Sequence, residues 1–272
     1  MKLIKQIPNL LTLLNLTLGC IGILYAFDER YFFMAKGEYG IHDTYEISNR
    51  LFTSCFCILL AAIIDFFDGF VARLLNAKSA IGKQLDSLAD MVTFGVLPAI
   101  IVYQLLERSY FTDTIFDSKG YLIFSGDYHF ISKIYLLPAL ILACAACWRL
   151  AKFNIDERQH ENFVGLPSPA SAIFIACLPI ICIGNDYGLG NLLLNKWILY
   201  GITILFSWLM VSELKMFSLK IKSLGWKGNE LRVIFILLSL LLIFFMQWTG
   251  LALAIISYIL LSIINSFIIK SE

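Results

Sequence analysis

Four aspartates fall within 26 residues of a chain otherwise dominated by apolar side chains: Asp65, Asp68, Asp86 and Asp90, in "DFFDGFVARLLNAKSAIGKQLDSLAD", residues 65–90. Asp65 and Asp68 are three apart, Asp86 and Asp90 four apart, so on helices each pair shares a face, one turn above the other. The stretch between the pairs, with Asn76, Ser79 and Gly82, predicts a short turn, and two consecutive antiparallel helices would bring all four carboxylates together. Four carboxylates in one low-dielectric site cannot all carry charge unless cations neutralise them. Hard divalent ions with oxygen ligands fit, Mg2+ or Mn2+ rather than zinc, because no His or Cys is interleaved. Four acids suit two such ions, and two ions suit clamping a pyrophosphate during displacement at phosphorus. Gly69 leaves the helix surface bare beside Asp68, where a phosphate or base can approach the backbone. Ala72 is small on the same side, and Arg73 supplies a planar cation suited to a phosphate. The bland reading, acids paired with basic residues of neighbouring helices, explains a lone buried Asp better than four at these spacings.

The elements that must position these residues are membrane helices. The chain has 272 residues, 59% hydrophobic and 15% charged, where a soluble domain carries about 25% charged residues. Its apolar blocks reach the roughly 20 residues a spanning helix needs. The sequence therefore predicts an all-α, polytopic integral membrane protein with about eight transmembrane helices, near 9–27, 51–74, 84–106, 130–151, 165–184, 195–214, 232–248 and 250–269. The last two, separated only by "WTG", also read as one re-entrant pair. Lys2 and Lys5 precede an apolar stretch with no cleavage signal, so the first span is read as retained. Residues 1–272 are expected to form a single membrane-embedded catalytic domain around the 65–90 core, with 215–231 as an amphipathic cytoplasmic connector resting on the anionic leaflet.

A cytoplasmic N-terminus places fourteen of the 21 Lys and Arg on one side, with both termini and the 65–90 stretch there as well. The site is thus expected at the cytoplasmic face of the cell (inner) membrane. Loops 28–49 and 107–129 fall on the poorly basic side, lean acidic, and are assigned no role beyond connecting spans. A net charge of +1 without a long basic run gives no reason to expect nucleic acid. Cys144 and Cys147 have CxxC spacing, but no second pair or His follows, so all seven cysteines read as small packing residues. His42, His129 and His160 have no partner spacing.

At every fixed position, Asp65-x2-Asp68-Gly69-x2-Ala72-Arg73-x8-Gly82-x3-Asp86-x3-Asp90 resembles the signature of the CDP-alcohol phosphotransferase family. The resemblance implies a helical membrane enzyme, typically a homodimer. It cleaves the pyrophosphate of a CDP-linked donor and passes the phosphoryl-alcohol to an acceptor hydroxyl, releasing CMP. It also implies that Asp65, Asp68 and Asp86 hold the metals, and that Asp90 is the general base and a metal neighbour. Gly69, Arg73 and Ser79, with Ala72 and Gly82, would meet the CDP moiety. A base beside the acceptor is chemically reasonable, because an alcohol is a poor nucleophile until a carboxylate takes its proton.

Two further stretches, "IPNLLTLLNLTLGCIGI" and "WRLAKFN" followed by "FVGLPSPASA", resemble the bacterial and archaeal branch of that family that makes phosphatidylserine from CDP-diacylglycerol and L-serine. A small zwitterion needs a cation for its carboxylate, and Arg149 or Lys152 can serve, with Asn154 adding an amide. Basic residues ending a span are equally common as cytoplasmic anchors. Thr12 and Asn15, polar at i, i+3 in an apolar helix, either line the donor's path or bond neighbouring helices. Pro167 and Pro169 predict a non-helical entry to the fifth span. Three alternatives stand beside this reading. One keeps the chemistry with glycerol 3-phosphate or an inositol phosphate as acceptor, the second is an aspartate-rich prenyltransferase, and the third is a cation transporter that leaves Gly69, Ala72, Arg73 and Gly82 unexplained.

Overall fold

The computed structural model describes residues 6–27, 35–37, 40–42, 45–46, 49–75, 77, 79–110, 113–116, 122–125, 132–155, 163–217 and 229–270. In chain order these form α1 (Ile7–Phe27), β1 (Ala35–Gly37), β2 (Gly40–His42), β3 (Tyr45–Glu46), α2 (Asn49–Leu74), α3 (Ala80–Asp90) and a π-helical segment (Met91–Val96). There follow α4 (Leu97–Arg108), β4 (Asp113–Phe116), β5 (Leu122–Ser125), α5 (Leu140–Ile155), β6 (Phe163–Val164), α6 (Ser168–Gly184), α7 (Gly190–Leu193), α8 (Lys196–Val211), β7 (Lys215–Met216) and α9 (Glu230–Lys270). Among the described residues, five helical stretches are long and apolar enough to cross a membrane: Ile7–Phe27, Arg50–Leu74, Ala80–Arg108, Lys133–Ile155 and Glu230–Ser266. Ser168–Gly184 and Lys196–Val211 are shorter apolar helices.

The third stretch is the hub. Its apolar window is 61% buried, against 28% for the first two and 6% for Glu230–Ser266, so the others wrap it and turn their outer faces away. Leu97, Ile101, Leu105 and Leu106 of α4 pack with Ile175 of α6, all with almost no exposed surface. In hydrocarbon there is little hydrophobic drive between helices, so close packing and hydrogen bonds must hold them. The α1 contact shows how. A Cβ at Gly19 would fall on the Thr93 side chain, and the Thr93 hydroxyl donates to the Asn15 carbonyl at 3.1 Å. The Ser54 hydroxyl of α2 likewise donates to the Gly22 carbonyl of α1.

Helix α9 is interrupted at Gln247, whose φ of 46° and ψ of −116° are not helical. The rings of Phe235 and Tyr258 lie 5.6 Å apart, although 23 residues of straight helix would separate them by about 35 Å. The chain therefore folds back as a helical hairpin, in line with the two closely spaced spans read from sequence. The chain enters α6 at Ser168 with Pro169 in its first turn, as the prolines require. Of the 215–231 connector, Lys215–Met216 is a short strand paired with β6, Glu230 begins α9, and residues 218–228 lie outside the described residues. The loops 28–49 and 107–129, whose role the sequence left open, contain strands: β1 pairs with β2, and β3, β5 and β4 form a three-stranded sheet joining 45–46 to 122–125 and 113–116.

If α1 meets the π segment this closely, Gly19→Ala must push Thr93 aside. Overpacking of this kind costs about 1–3 kcal/mol, so the detergent-solubilised variant should melt several degrees lower. An unchanged melting temperature would contradict the packing.

Candidate active site

The last turns of α2 carry Asp65 and Asp68, and α3 carries Asp86 one turn before Asp90. The short turn expected between the pairs is present, and Ser79 caps α3 by accepting the Gly82 amide at 2.9 Å. One carboxylate oxygen from each of Asp65, Asp68 and Asp86 lies within 4.8 Å of the others. Asp68 and Asp90 are buried, while Asp65 and Asp86 are partly exposed. Asp90 is the last residue before the π segment, a distortion frequent at functional sites.

Asp68 and Asp90 are each held by α1. The Thr12 hydroxyl donates to Asp68 Oδ2 at 2.9 Å, and the Asn15 amide donates to Asp90 Oδ1 at 3.1 Å. Both α1 residues are buried, and Asn15 Oδ1 has no hydrogen-bond partner among the described residues. Sequence spacing left open whether Thr12 and Asn15 serve a donor path or a helix contact. In the structure they bond the aspartates, and Thr12 also lines the adjoining cavity.

That cavity has a volume of about 520 Å3 and opens beside Asp68 and Asp86. Gly69, Ala72, Ser79 and Gly82 line it, as the motif reading requires. A Cβ at Gly69 would meet nothing within 4 Å, so protein packing does not demand the glycine and the surface there is open. Arg73 is exposed and folds back to donate Nε to the Gly69 carbonyl at 2.9 Å. The sequence reading missed Asn9 and Lys83, which line the same cavity. Their signal was available: Asn9 continues the Thr12–Asn15 stripe at three-residue steps, and Lys83 precedes Asp86 by three.

The candidate acceptor residues separate. Arg149 is buried, donates Nη1 to the Ser168 hydroxyl at 3.1 Å, and keeps Nε without a hydrogen-bond partner. Lys152 pairs with Glu213 at 3.1 Å. Asn154 donates to the Ser87 hydroxyl at 2.7 Å, while its carbonyl accepts Lys83 Nζ at 2.7 Å, tying the end of α5 to α3. The stretch preceding Ser168 is pinned through its backbone. Gly165 N donates to Leu214 O and Leu166 N to Leu209 O, each at 2.9 Å. Gly165 has φ +75°, and a Cβ there would strike the Met210 carbonyl. Only glycine fits both the left-handed backbone and the approach.

The donor set of Asp65, Asp68 and Asp86 consists of carboxylate oxygens alone, partly buried and mutually close, which suits a hard divalent cation. A carboxylate cluster, a neighbouring cavity with a bare glycine, and a further carboxylate positioned by an amide define a helical membrane protein built to handle a phosphorylated ligand.

Residues 5–209 match the family described as CDP-alcohol phosphatidyltransferase, and the chain belongs to that family, whose members are metal-dependent. It is 29% identical over 242 residues to a CDP-diacylglycerol–serine O-phosphatidyltransferase of Helicobacter pylori, covering 87% of this chain and 81% of the relative. A Bacillus subtilis protein of the same name is 30% identical over 171 residues, 59% of this chain and 80% of the relative. An archaetidylserine synthase of Methanothermobacter thermautotrophicus is 30% identical over 172 residues, 62% of this chain and 56% of the relative.

Asn15→Leu removes the donor to Asp90 while preserving an apolar helix face. Turnover is expected to fall about 10- to 100-fold, the usual cost of losing a group that orients a ligand-bearing side chain, with little change in melting temperature. Wild-type turnover in that variant would show that Asp90 does not depend on α1.

Proposed function

We propose that this protein transfers the phosphatidyl group of CDP-diacylglycerol to the hydroxyl of L-serine, giving phosphatidylserine and CMP. The observation that carries the reading is the Asp65–Asp68–Asp86 cluster beside a cavity lined by Gly69, Ala72, Ser79 and Gly82. The serine acceptor is supported by the names of the relatives and by Arg149, one buried guanidinium suited to one carboxylate. Glycerol 3-phosphate and inositol phosphates carry more negative charge and call for a denser basic pocket. Here Lys152 is already paired with Glu213 at 3.1 Å. The family match favours the transferase over the prenyltransferase and transporter alternatives.

In this reading Asp65, Asp68, Asp86 and Asp90 hold two Mg2+ or Mn2+ ions. Bound there, the ions supply charge neutralisation for the pyrophosphate and for the departing CMP. The chain's own residues do the rest. Gly69, Ala72, Arg73, Ser79 and Gly82 bind the CDP moiety, with Arg73 offering its guanidinium to a phosphate. Thr12 and Asn15 hold Asp68 and Asp90 in place, and Thr12 borders the donor's path. Asp90 takes the proton of the serine hydroxyl, and that oxygen attacks the phosphorus bearing diacylglycerol. The bond from this phosphorus to the bridging oxygen breaks, and CMP leaves with the bond's electron pair. Arg149 binds the serine carboxylate, with Lys152 and Asn154 nearer the end of α5.

We further infer eight spans, counting the two short apolar helices and both arms of the α9 hairpin. Both termini and the aspartates then lie at the cytoplasmic face of the cell membrane, within one catalytic domain that acts as a homodimer. The Lys and Arg distribution supports this orientation. Residues 215–231 then form a cytoplasmic connector at the leaflet surface.

Purified protein given CDP-diacylglycerol and serine should release CMP, lose this activity in EDTA, and regain it with Mg2+ or Mn2+. A panel of alcohols separates acceptors, and CMP release with glycerol 3-phosphate but not serine would overturn the assignment. Asp90→Asn should reduce turnover by about 100-fold or more, and near-wild-type turnover would remove Asp90 as the base. Gly69→Val should fold normally, since nothing within 4 Å opposes a Cβ there, yet raise the KM for CDP-diacylglycerol. An unchanged KM would show that the donor does not approach Gly69.

A further inference from the structure

Helix α9 lies wholly beyond residues 5–209, the part of the chain that matches the family. It nevertheless packs against β7 and against α6, which carries the Ser168 partner of Arg149. Tyr258, in its second arm, is 6% exposed and donates its hydroxyl to the Phe217 carbonyl at 3.1 Å. The Tyr258 ring sits 5.0 Å from that of Phe217 and 5.6 Å from that of Phe235, so both arms of the hairpin meet at this point. Phe217 directly follows β7, whose pairing with β6 leads into the Gly165 turn and then Ser168, the hydroxyl that accepts Arg149 Nη1. Hydrogen bonds, linked by short stretches of backbone, thus join the hairpin to the guanidinium.

A second link is proximity. Asp90 and Tyr258 are the two titratable side chains near enough to the buried Arg149 to influence it. With its proton donated to Phe217, the phenol oxygen keeps only lone pairs for its other neighbours, an arrangement that favours a cation. Arg149 also lies over the Phe153 ring, 5.9 Å from its centroid. Its Nε has no hydrogen-bond partner, and neither does the buried Ser171 hydroxyl, one turn past Ser168 on α6. Buried polar atoms are ordinarily paired, so Arg149 Nε and the Ser171 hydroxyl are available to a small polar ligand or to water.

We propose that Tyr258 is a positioning residue for Arg149, so that the C-terminal hairpin forms part of the acceptor pocket and helps determine which alcohol is bound. This rests on the reading of Arg149 as the cation for the acceptor's carboxylate. Tyr258 does not touch the reacting atoms. It anchors the 163–168 stretch through Phe217, and with it the Ser168 hydroxyl that holds Arg149 Nη1, leaving Nε for the acceptor.

The test is a double-mutant cycle of Tyr258→Phe and Arg149→Lys, measuring CMP release against serine and against CDP-diacylglycerol. Tyr258→Phe keeps the ring and loses one hydroxyl, so the serine KM should rise about 3- to 10-fold, the scale of one hydrogen bond. The CDP-diacylglycerol KM and the melting temperature should stay near wild type. In the Arg149→Lys background the same substitution should have less than half that effect. Stabilisation of the protein by serine against heat gives a second readout that needs no turnover. An unchanged serine KM, or the same factor in both backgrounds, would overturn the proposal. So would a parallel rise in both KM values with a fall in melting temperature, which means that the hairpin merely supports the fold. If wild-type protein releases CMP with another alcohol and not with serine, the serine assignment fails, and the cycle is then scored with that alcohol.

Discussion

Carboxylates are the costliest groups to place in a membrane protein, and here three of them come within 4.8 Å of one another. The surroundings of the cluster are arranged around that cost. Asp68 and Asp90 each accept a hydrogen bond from a buried polar side chain of α1. The third helix, which carries two of the four acids, is the most buried of the spanning stretches, so the charges are framed by the best-packed part of the molecule. Protein groups satisfy individual oxygens, but the mutual repulsion of the triad is left for cations to relieve.

That division of labour accounts for the two kinds of packing seen. Where helices must not shift, small residues and backbone-directed hydroxyls bring them close, as Gly19 does against Thr93 and Ser54 against Gly22. A ligand needs the opposite, and there the protein leaves space: Gly69 faces a cavity rather than a neighbour. The same residue type thus serves closeness at one position and openness at another, and only its surroundings distinguish the two.

The surroundings of Arg149 are held differently from the cavity beside the aspartates. That cavity is made largely from α1, α2 and α3, close in sequence and within the family's matched region. Arg149 on α5 is held by Ser168 of α6, and the 163–168 stretch before it is pinned by β7, which the C-terminal hairpin meets at Phe217. Chemistry shared across a family resides in the local motif. The Arg149 surroundings instead depend on long-range packing, which can vary without disturbing the motif.

The sequence alone determined the class of site. Helical periodicity puts Asp65 with Asp68 and Asp86 with Asp90, and Ser79 and Gly82 mark the turn between the helices, because these are local rules that act within a few residues. Span length and apolar content disclosed the helical membrane fold for the same reason, and the Pro167–Pro169 entry to α6 followed from the ring geometry of proline. What only the tertiary structure decided is which polar groups meet. Thr12 and Asn15 reach acids 56 and 75 residues away. Lys152 turns to Glu213 while Arg149 turns to Ser168, and Tyr258 reaches the Phe217 carbonyl from a hairpin near the C-terminus. No periodicity encodes such pairings, because they depend on how helices distant in the chain are packed against one another.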